Sequence, residues 1–209
     1  MSPDVLPTDA VIVGAGPNGL AAAIEIARHG YSAIVLEAKE TVGGGTRTAE
    51  LTLPGYLHDV CSAIHPLALG SPFLKTLPLD DHGLHWIHPP APLAHPFEDG
   101  KAAVLHRSIQ ETAQTIGRDG ERYARFMFPL AENWPDIARD ILAPIHLPRH
   151  PVGLARFGLR AIQSAAGLAD RLFRQPYARG LFAGLSAHSF LPLEQNASAA
   201  FGIVLAVLG

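Results

Sequence analysis

The sequence predicts an α/β fold, a Rossmann-like βαβ unit followed by a hairpin and a mainly helical part. Two observations carry the first half. The β-branched run Ala10-Val11-Ile12-Val13 meets Gly14, Gly16 and Gly19 at G-x-G-x-x-G spacing. A second apolar run, Ala33 to Leu36, ends on an acid, Glu37, eighteen residues past Gly19. A third observation carries the rest: Glu98-Asp99-Gly100 is a turn between apolar runs, and helical periodicities follow it.

Each glycine of the first turn has its own job in a dinucleotide site. Gly14 permits the tight turn off the strand, Gly16 lets the backbone approach a pyrophosphate, and Gly19 lets the helix pack on the strand. Pro17 suits the first helical turn, where its missing N–H has no intrahelical acceptor to lose, and Asn18 completes the turn. Leu20, Ala23, Ile24 and Ala27 recur at helical spacing, and Gly30 after Arg28-His29 stops the helix. Glu37 stands where the motif needs an acceptor for adenosine ribose hydroxyls. Gly14 and Gly19 also match half of a P-loop, but Leu20-Ala21 occupies the place of Lys-Ser/Thr, so a P-loop is excluded.

The bulk properties bound the rest. With 209 residues, 48% of them hydrophobic and 17% charged, the chain is long enough for one or two domains and too apolar to be disordered. A net charge of −3 and the absence of a long Lys/Arg cluster argue against nucleic acid as a partner. Cys61 is alone, which excludes a disulfide framework and a cysteine-rich metal site and fits a reducing cytoplasm. Met1 to Asp9 reads as lacking a secretory signal. The most apolar stretch, 197–208, falls short of the roughly 20 residues a membrane span needs and reads as a buried helix.

Past Glu37, Gly43-Gly44-Gly45 forms a loop that can lie against a ligand, with Arg47 offering donors to phosphate. Residues 51–66 carry a Pro54-Gly55 turn, Asp59, Cys61 and His65, and read as an ordinary connecting loop. Residues 84–107 read as extended, in three pieces: Leu84 to His88, Leu93 to Phe97 and Ala102 to His106. Ser108 starts a helix near Ile109 that stops at Gly117. Asp119 caps a further helix through Tyr123, Phe126 and Leu130, disturbed by Pro129 and Pro135. The proline-rich residues 143–151 form a connector. Three or four helices follow, ending at Leu208, with Arg156, Arg160, Arg171 and Arg174 on a solvated face. His82, His85 and His88 tempt a metal reading. On a strand, however, residues three apart point to opposite faces, so no metal ligands are assigned.

The missing elements separate the cofactors. An NAD-binding Rossmann domain keeps alternating strand and helix through about six strands, whereas this chain makes one βαβ unit and departs. The Tyr-x-x-x-Lys of short-chain dehydrogenases is also absent, since Tyr31, Tyr56, Tyr123 and Tyr177 are followed at +4 by Val35, Val60, Met127 and Leu181.

Five stretches together resemble a known family. Asp9 to Leu20, Leu36-Glu37-Ala38, Val42-Gly43-Gly44, Arg47-Thr48 and Leu53 to Ser62 resemble the N-terminal part of phytoene dehydrogenase-like FAD oxidoreductases. These are relatives of carotenoid desaturases and, more distantly, of flavin amine oxidases. The resemblance is specific over residues 1–70 and continues more diffusely to Phe182–Phe190. It implies an incomplete FAD/NAD(P)-binding fold of the glutathione-reductase type: residues 1–70 as the N-terminal part of the FAD domain, 71–209 as part of a substrate or cap region, and the C-terminal half of the family architecture absent. The chain is then expected to be a fragment, a truncated gene product or half of a split protein.

The resemblance further implies FAD extended along the unit, with its pyrophosphate at Gly14, Gly16, Pro17, Asn18 and Gly19. Glu37 would hold the ribose, Ala38 and Lys39 would lie at the adenine end, and Gly43 and Gly44 would back the pyrophosphate or flavin side. Many relatives read Gly-Gly-Arg at this loop; Gly45 stands here instead, which leaves Arg47 to supply the charge. The implied chemistry is FAD-mediated removal of hydride from a hydrophobic small molecule, a desaturation or related oxidation. A flavin amine oxidase relative and a non-catalytic nucleotide-binding remnant are the alternatives. No nucleophile, acid–base pair or triad stands out, so no catalytic residue is assigned; Asp59 and His65 are candidates for the site wall. The partners expected are a hydrophobic substrate, a missing half or a second copy, and at most the periphery of a membrane.

Overall fold

The computed structural model describes residues 7–209. The first six residues of the stretch that reads as lacking a secretory signal lie outside it. The chain forms two compact units, Met1–His65 and Pro66–Gly209.

The first unit is the expected βαβ. Strand β1 (Ala10–Val13) pairs in parallel with β2 (Ala33–Leu36), Ala10 opposite Ala33 and Val13 opposite Leu36, with helix α1 (Pro17–Arg28) between them. Asp9 fixes the start of both strands: its Oδ2 accepts from the Ser32 N–H at 2.8 Å and from the Ser32 hydroxyl at 2.7 Å. These bonds lower the Asp9 pKa. Along α1, Leu20 and Ala23 are half-buried as their spacing predicts. Ile24 and Ala27 are exposed, and Ala21 and Ile26 are half-buried instead. The helix meets a two-stranded sheet, too narrow to cover a wide apolar stripe. Alternation along the strands leaves Val11, Val13, Ile34 and Leu36 exposed on the other face. Beyond β2 comes a short antiparallel hairpin, β3 (Thr48–Glu50) with β4 (Leu57–Asp59). The sequence shows only a loop here, because three-residue strands are too short to reveal a period.

In the second unit, β5 (Leu93–Pro96) and β6 (Ala102–Leu105) form the predicted hairpin. Leu84–His88 is irregular rather than strand, so strand alternation does not govern the three histidines. A short helix α2 (Pro66–Gly70) precedes the hairpin, and α3 (Ile109–Thr115) follows, with the Ser108 hydroxyl accepting from the Glu111 N–H. Next come α4 (Gly120–Glu132), α5 (Trp134–Ile141), α6 (Pro151–Ala161), α7 (Ala165–Leu172), α8 (Pro176–Ala187) and α9 (Ala199–Leu208).

Pro129 lies inside α4 without ending it, and Pro135 is accommodated in the first turn of α5. Asp119 does not cap α4 with its side chain. It is 2% exposed, and its Oδ2 accepts the backbone N–H groups of Arg174 and Gln175 at the start of α8. A partner 55 residues away is invisible to a local capping rule.

Helix α9 is apolar on every side and packs against α2, α4, α6, α7 and α8, which makes it the central element of this unit. Met127, Phe173, Leu181 and Ile203 are completely enclosed. Burial of each such side chain is worth about 1.5–3 kcal/mol. The hairpin closes one side of this core, with Ala103 and Leu105 of β6 buried. Gly180 and Gly184 on α8 leave a flat strip for Phe97 and His95, whose rings a Cβ at either glycine would overlap. Burial, with His188 nearby, lowers the pKa of His95.

Asp119→Ala is expected to strand two N–H groups at the start of α8 and cost about 2–3 kcal/mol. Urea unfolding checks this; a variant as stable as the parent would show that Asp119 anchors nothing.

Candidate functional site

The site is built where the end of β1 meets the end of β2. Gly14 leaves the strand at φ +100°, a conformation only glycine adopts readily, while its N–H still donates to the Leu36 carbonyl at 2.7 Å. Gly16 begins α1 in extended conformation and Pro17 takes the first turn. A Cβ on Gly19 would overlap the carbonyl oxygen of Gly14 and press on Ile12. Glycine at 19 is therefore a packing requirement of the strand–helix junction, as expected. Asn18 is exposed on the first turn.

Glu37 follows β2 and turns back to this loop. Its Oε2 accepts from the Ala15 N–H at 2.8 Å, and its Oε1 accepts from the Lys39 N–H at 3.0 Å. The Ala15 bond, then the Lys39 bond, lowers the Glu37 pKa, with the Arg47 charge adding a smaller contribution. A carboxylate accepts about four hydrogen bonds, so each oxygen retains capacity for a hydroxyl donor. Ala38 and Lys39 are exposed beside it.

The second glycine loop docks on the first. The Gly43 N–H donates to the Ala15 carbonyl at 2.8 Å. Gly44, at φ +56°, approaches so closely that a Cβ on it would lie 2.9 Å from Gly16 Cα. Arg47 is half-buried and its Nε donates to the Gly44 carbonyl at 2.9 Å, which anchors the guanidinium by one edge. Ser62 and Val60 donate to the carbonyls of Gly45 and Arg47, fastening the loop to the chain after β4.

The structure thus brings together Gly14, Gly16, Pro17, Gly19, Glu37, Gly43, Gly44 and Arg47. Asp59 faces its hairpin partner, accepting from the Thr48 hydroxyl at 2.8 Å. His65 closes the unit, its Nδ1 3.4 Å from the Ser62 hydroxyl. Sequence reasoning missed Ala15, which acts only through its peptide group. The available signal was the strand register: Val13 opposite Leu36 places Glu37 beside the residues that follow Gly14. No group of three or more His, Cys, Asp or Glu side chains among the described residues could hold a metal ion.

Residues 12–77 match the family described as NAD(P)-binding Rossmann-like domain. The chain is 26% identical over 164 residues to a limonene dehydrogenase subunit of Castellaniella defragrans, covering 78% of this chain and 29% of that protein. It is 29% identical over 172 residues to hydroxyneurosporene desaturase of Cereibacter sphaeroides, covering 77% of this chain and 32% of that one. The chain therefore spans about a third or less of these curated relatives. Among solved structures it is similar to putrescine oxidase bound to putrescine, with a TM-score of 0.54 and 23% identity over 97% of this chain and 41% of that one. At that identity the likeness shows the fold. The resemblance to carotenoid desaturases is matched by the hydroxyneurosporene desaturase relative.

The lowered pKa of Glu37 sets a pH dependence. The folded state favours the carboxylate, so its contribution is complete above the ordinary value of 4.5 and is lost as the pH falls through the lowered one. In Glu37→Gln, the urea midpoint is expected to drop less between neutral pH and acid than in the parent. Asp9, lowered in the same direction, keeps some slope in both proteins. Parallel acid limbs would show that the Ala15–Glu37 bond does not form in solution.

Proposed function

We propose, from the premise that residues 12–77 form an NAD(P)-binding Rossmann-like domain, that the chain is the dinucleotide-binding part of an FAD-dependent oxidoreductase of the phytoene dehydrogenase-like type. One observation carries the assignment of the turn. Gly16 has φ −76° and ψ 175°, which any residue adopts, and a Cβ there would meet only Gly44 Cα, at an ordinary 3.7 Å. The protein itself does not require glycine at this position. A ligand that crosses the turn at van der Waals distance does.

In this reading the cofactor's pyrophosphate lies over Gly14 to Gly19, against the start of α1, where Pro17 has no N–H and the next amides lack intrahelical acceptors. Glu37, held by two backbone donors, accepts the adenosine ribose hydroxyls. Ala38 and Lys39 border the adenine end. Gly43 and Gly44 form the second wall, and the free edge of Arg47 faces phosphate. FAD, when bound, supplies the hydride acceptance; the protein supplies position and electrostatics.

The relatives named for limonene and hydroxyneurosporene support a hydrophobic substrate that loses hydride. The fold likeness to putrescine oxidase supports an amine as the second reading. Among the described residues no helix is long and apolar enough to cross a membrane, and the exposed, unpaired Cys61 supports the cytoplasm. The bare Val11, Val13, Ile34 and Leu36 support a further protein surface over the β1–β2 sheet in the working enzyme.

Gly16→Ala is expected to melt with the parent yet bind FAD about tenfold more weakly or worse, as read by quenching of flavin fluorescence. Glu37→Ala is expected to lose about ten- to a hundredfold in affinity through the missing charge-assisted acceptor. Undiminished affinity in both would remove this turn from the cofactor site.

A further inference from the structure

Within residues 66–209, the end of α4, helix α5, the connector before α6 and the first turns of α6 enclose a cleft of about 540 Å³. This is ample for a small ligand. Leu130, Ile137 and Phe157 give it an apolar lining, while Arg149, Arg156 and Arg160 stand on its wall and no carboxylate lines it. In a chain with 19 acidic and 16 basic residues, this is a local reversal of sign.

The neighbouring acids are already engaged. Asp136 pairs with Arg139 and with His150, each at 3.4 Å. Asp140 is covered, and it accepts from His146 at 3.1 Å and from the backbone N–H groups of Arg149 and His150. Among the described residues, no ion pair neutralises Arg149, Arg156 or Arg160. Arg160 is held in place, with its guanidinium over the Phe126 ring at 5.5 Å and Nη1 donating to the Arg156 carbonyl at 3.1 Å. Arg149 and Arg156 are exposed, with guanidinium donors available to a ligand.

We propose that this cleft binds an anionic head group, phosphate or carboxylate, carried on an apolar body. Guanidinium forks match the oxygens of both head groups in pairs, and the Leu130–Ile137–Phe157 surface takes the aliphatic part. The molecule comes either from solution or from a membrane. Leu142, Ile145, Leu147 and Val152, exposed along the connector, are side chains a lipid surface would cover. The site is independent of the dinucleotide turn and uses none of its residues.

Calorimetric titration of the 209-residue chain with octyl phosphate tests the proposal, beside the Arg149→Gln/Arg156→Gln double variant and an Arg118→Gln control. Both substituted arginines are exposed, and Arg160 stays intact for its packing on Phe126. Saturable binding is expected in the parent and the control, weakened about tenfold or more in the double variant. Sedimentation with vesicles of phosphatidylcholine, alone or mixed with phosphatidylglycerol, identifies the source. Recruitment to the anionic vesicles only, lost in the double variant, supports a lipid head group, and octyl phosphate binding without recruitment supports a soluble amphiphile. No binding to either probe, or binding that the double variant retains in full, overturns the proposal.

Discussion

The peptide groups on either side of Ala15 hold the candidate site together. The N–H of this buried residue donates to Glu37, and its carbonyl accepts from Gly43. Three stretches distant in sequence, the first glycine turn, the end of β2 and the second glycine loop, thus meet at one residue. Both bonds are partly shielded from water, and one is charge-assisted, the stronger kind. Without them Glu37 would keep only its bond from the Lys39 N–H, and the second glycine loop only its bonds to the chain after β4.

This anchor explains the division of labour among the glycines. Gly14 is needed for its left-handed turn and Gly19 for the closeness of helix and strand. Gly44 allows the two loops to touch. Of the three glycines in the first turn, Gly16 alone lacks a reason within the protein, and in the proposed reading a pyrophosphate passes over it. Within the G-x-G-x-x-G signature, Gly14 and Gly19 thus meet structural requirements, and Gly16 is the glycine that the proposed cofactor would account for.

Legibility in the sequence follows the range of the forces. The βαβ unit, the Asp99-Gly100 hairpin, the Ser108 cap and the buried C-terminal helix are set by local spacing and turn chemistry, and each is readable. Asp119 is misread because its partners, Arg174 and Gln175, lie at the start of another helix. The β3–β4 hairpin is missed because three residues do not establish a period. Leu84–His88 looks like a strand from its apolar residues, but it has no neighbouring strand to pair with among the described residues. At the site, the residue types are legible and the Ala15 anchor is not, since a backbone group leaves no mark on composition. The arginines on α6 read as a solvated face; only the fold places Arg156 and Arg160 beside Arg149 around one cleft.

In the proposed reading the turn and Glu37 hold the adenosine and pyrophosphate half of the cofactor, a half that FAD has and FMN lacks. Difference absorption spectra of the chain titrated separately with FAD and with FMN test this most directly. A saturable perturbation of the flavin bands is expected with FAD, and little or none with FMN at the same concentrations. Equal perturbation by both, or none by either, would contradict the assignment.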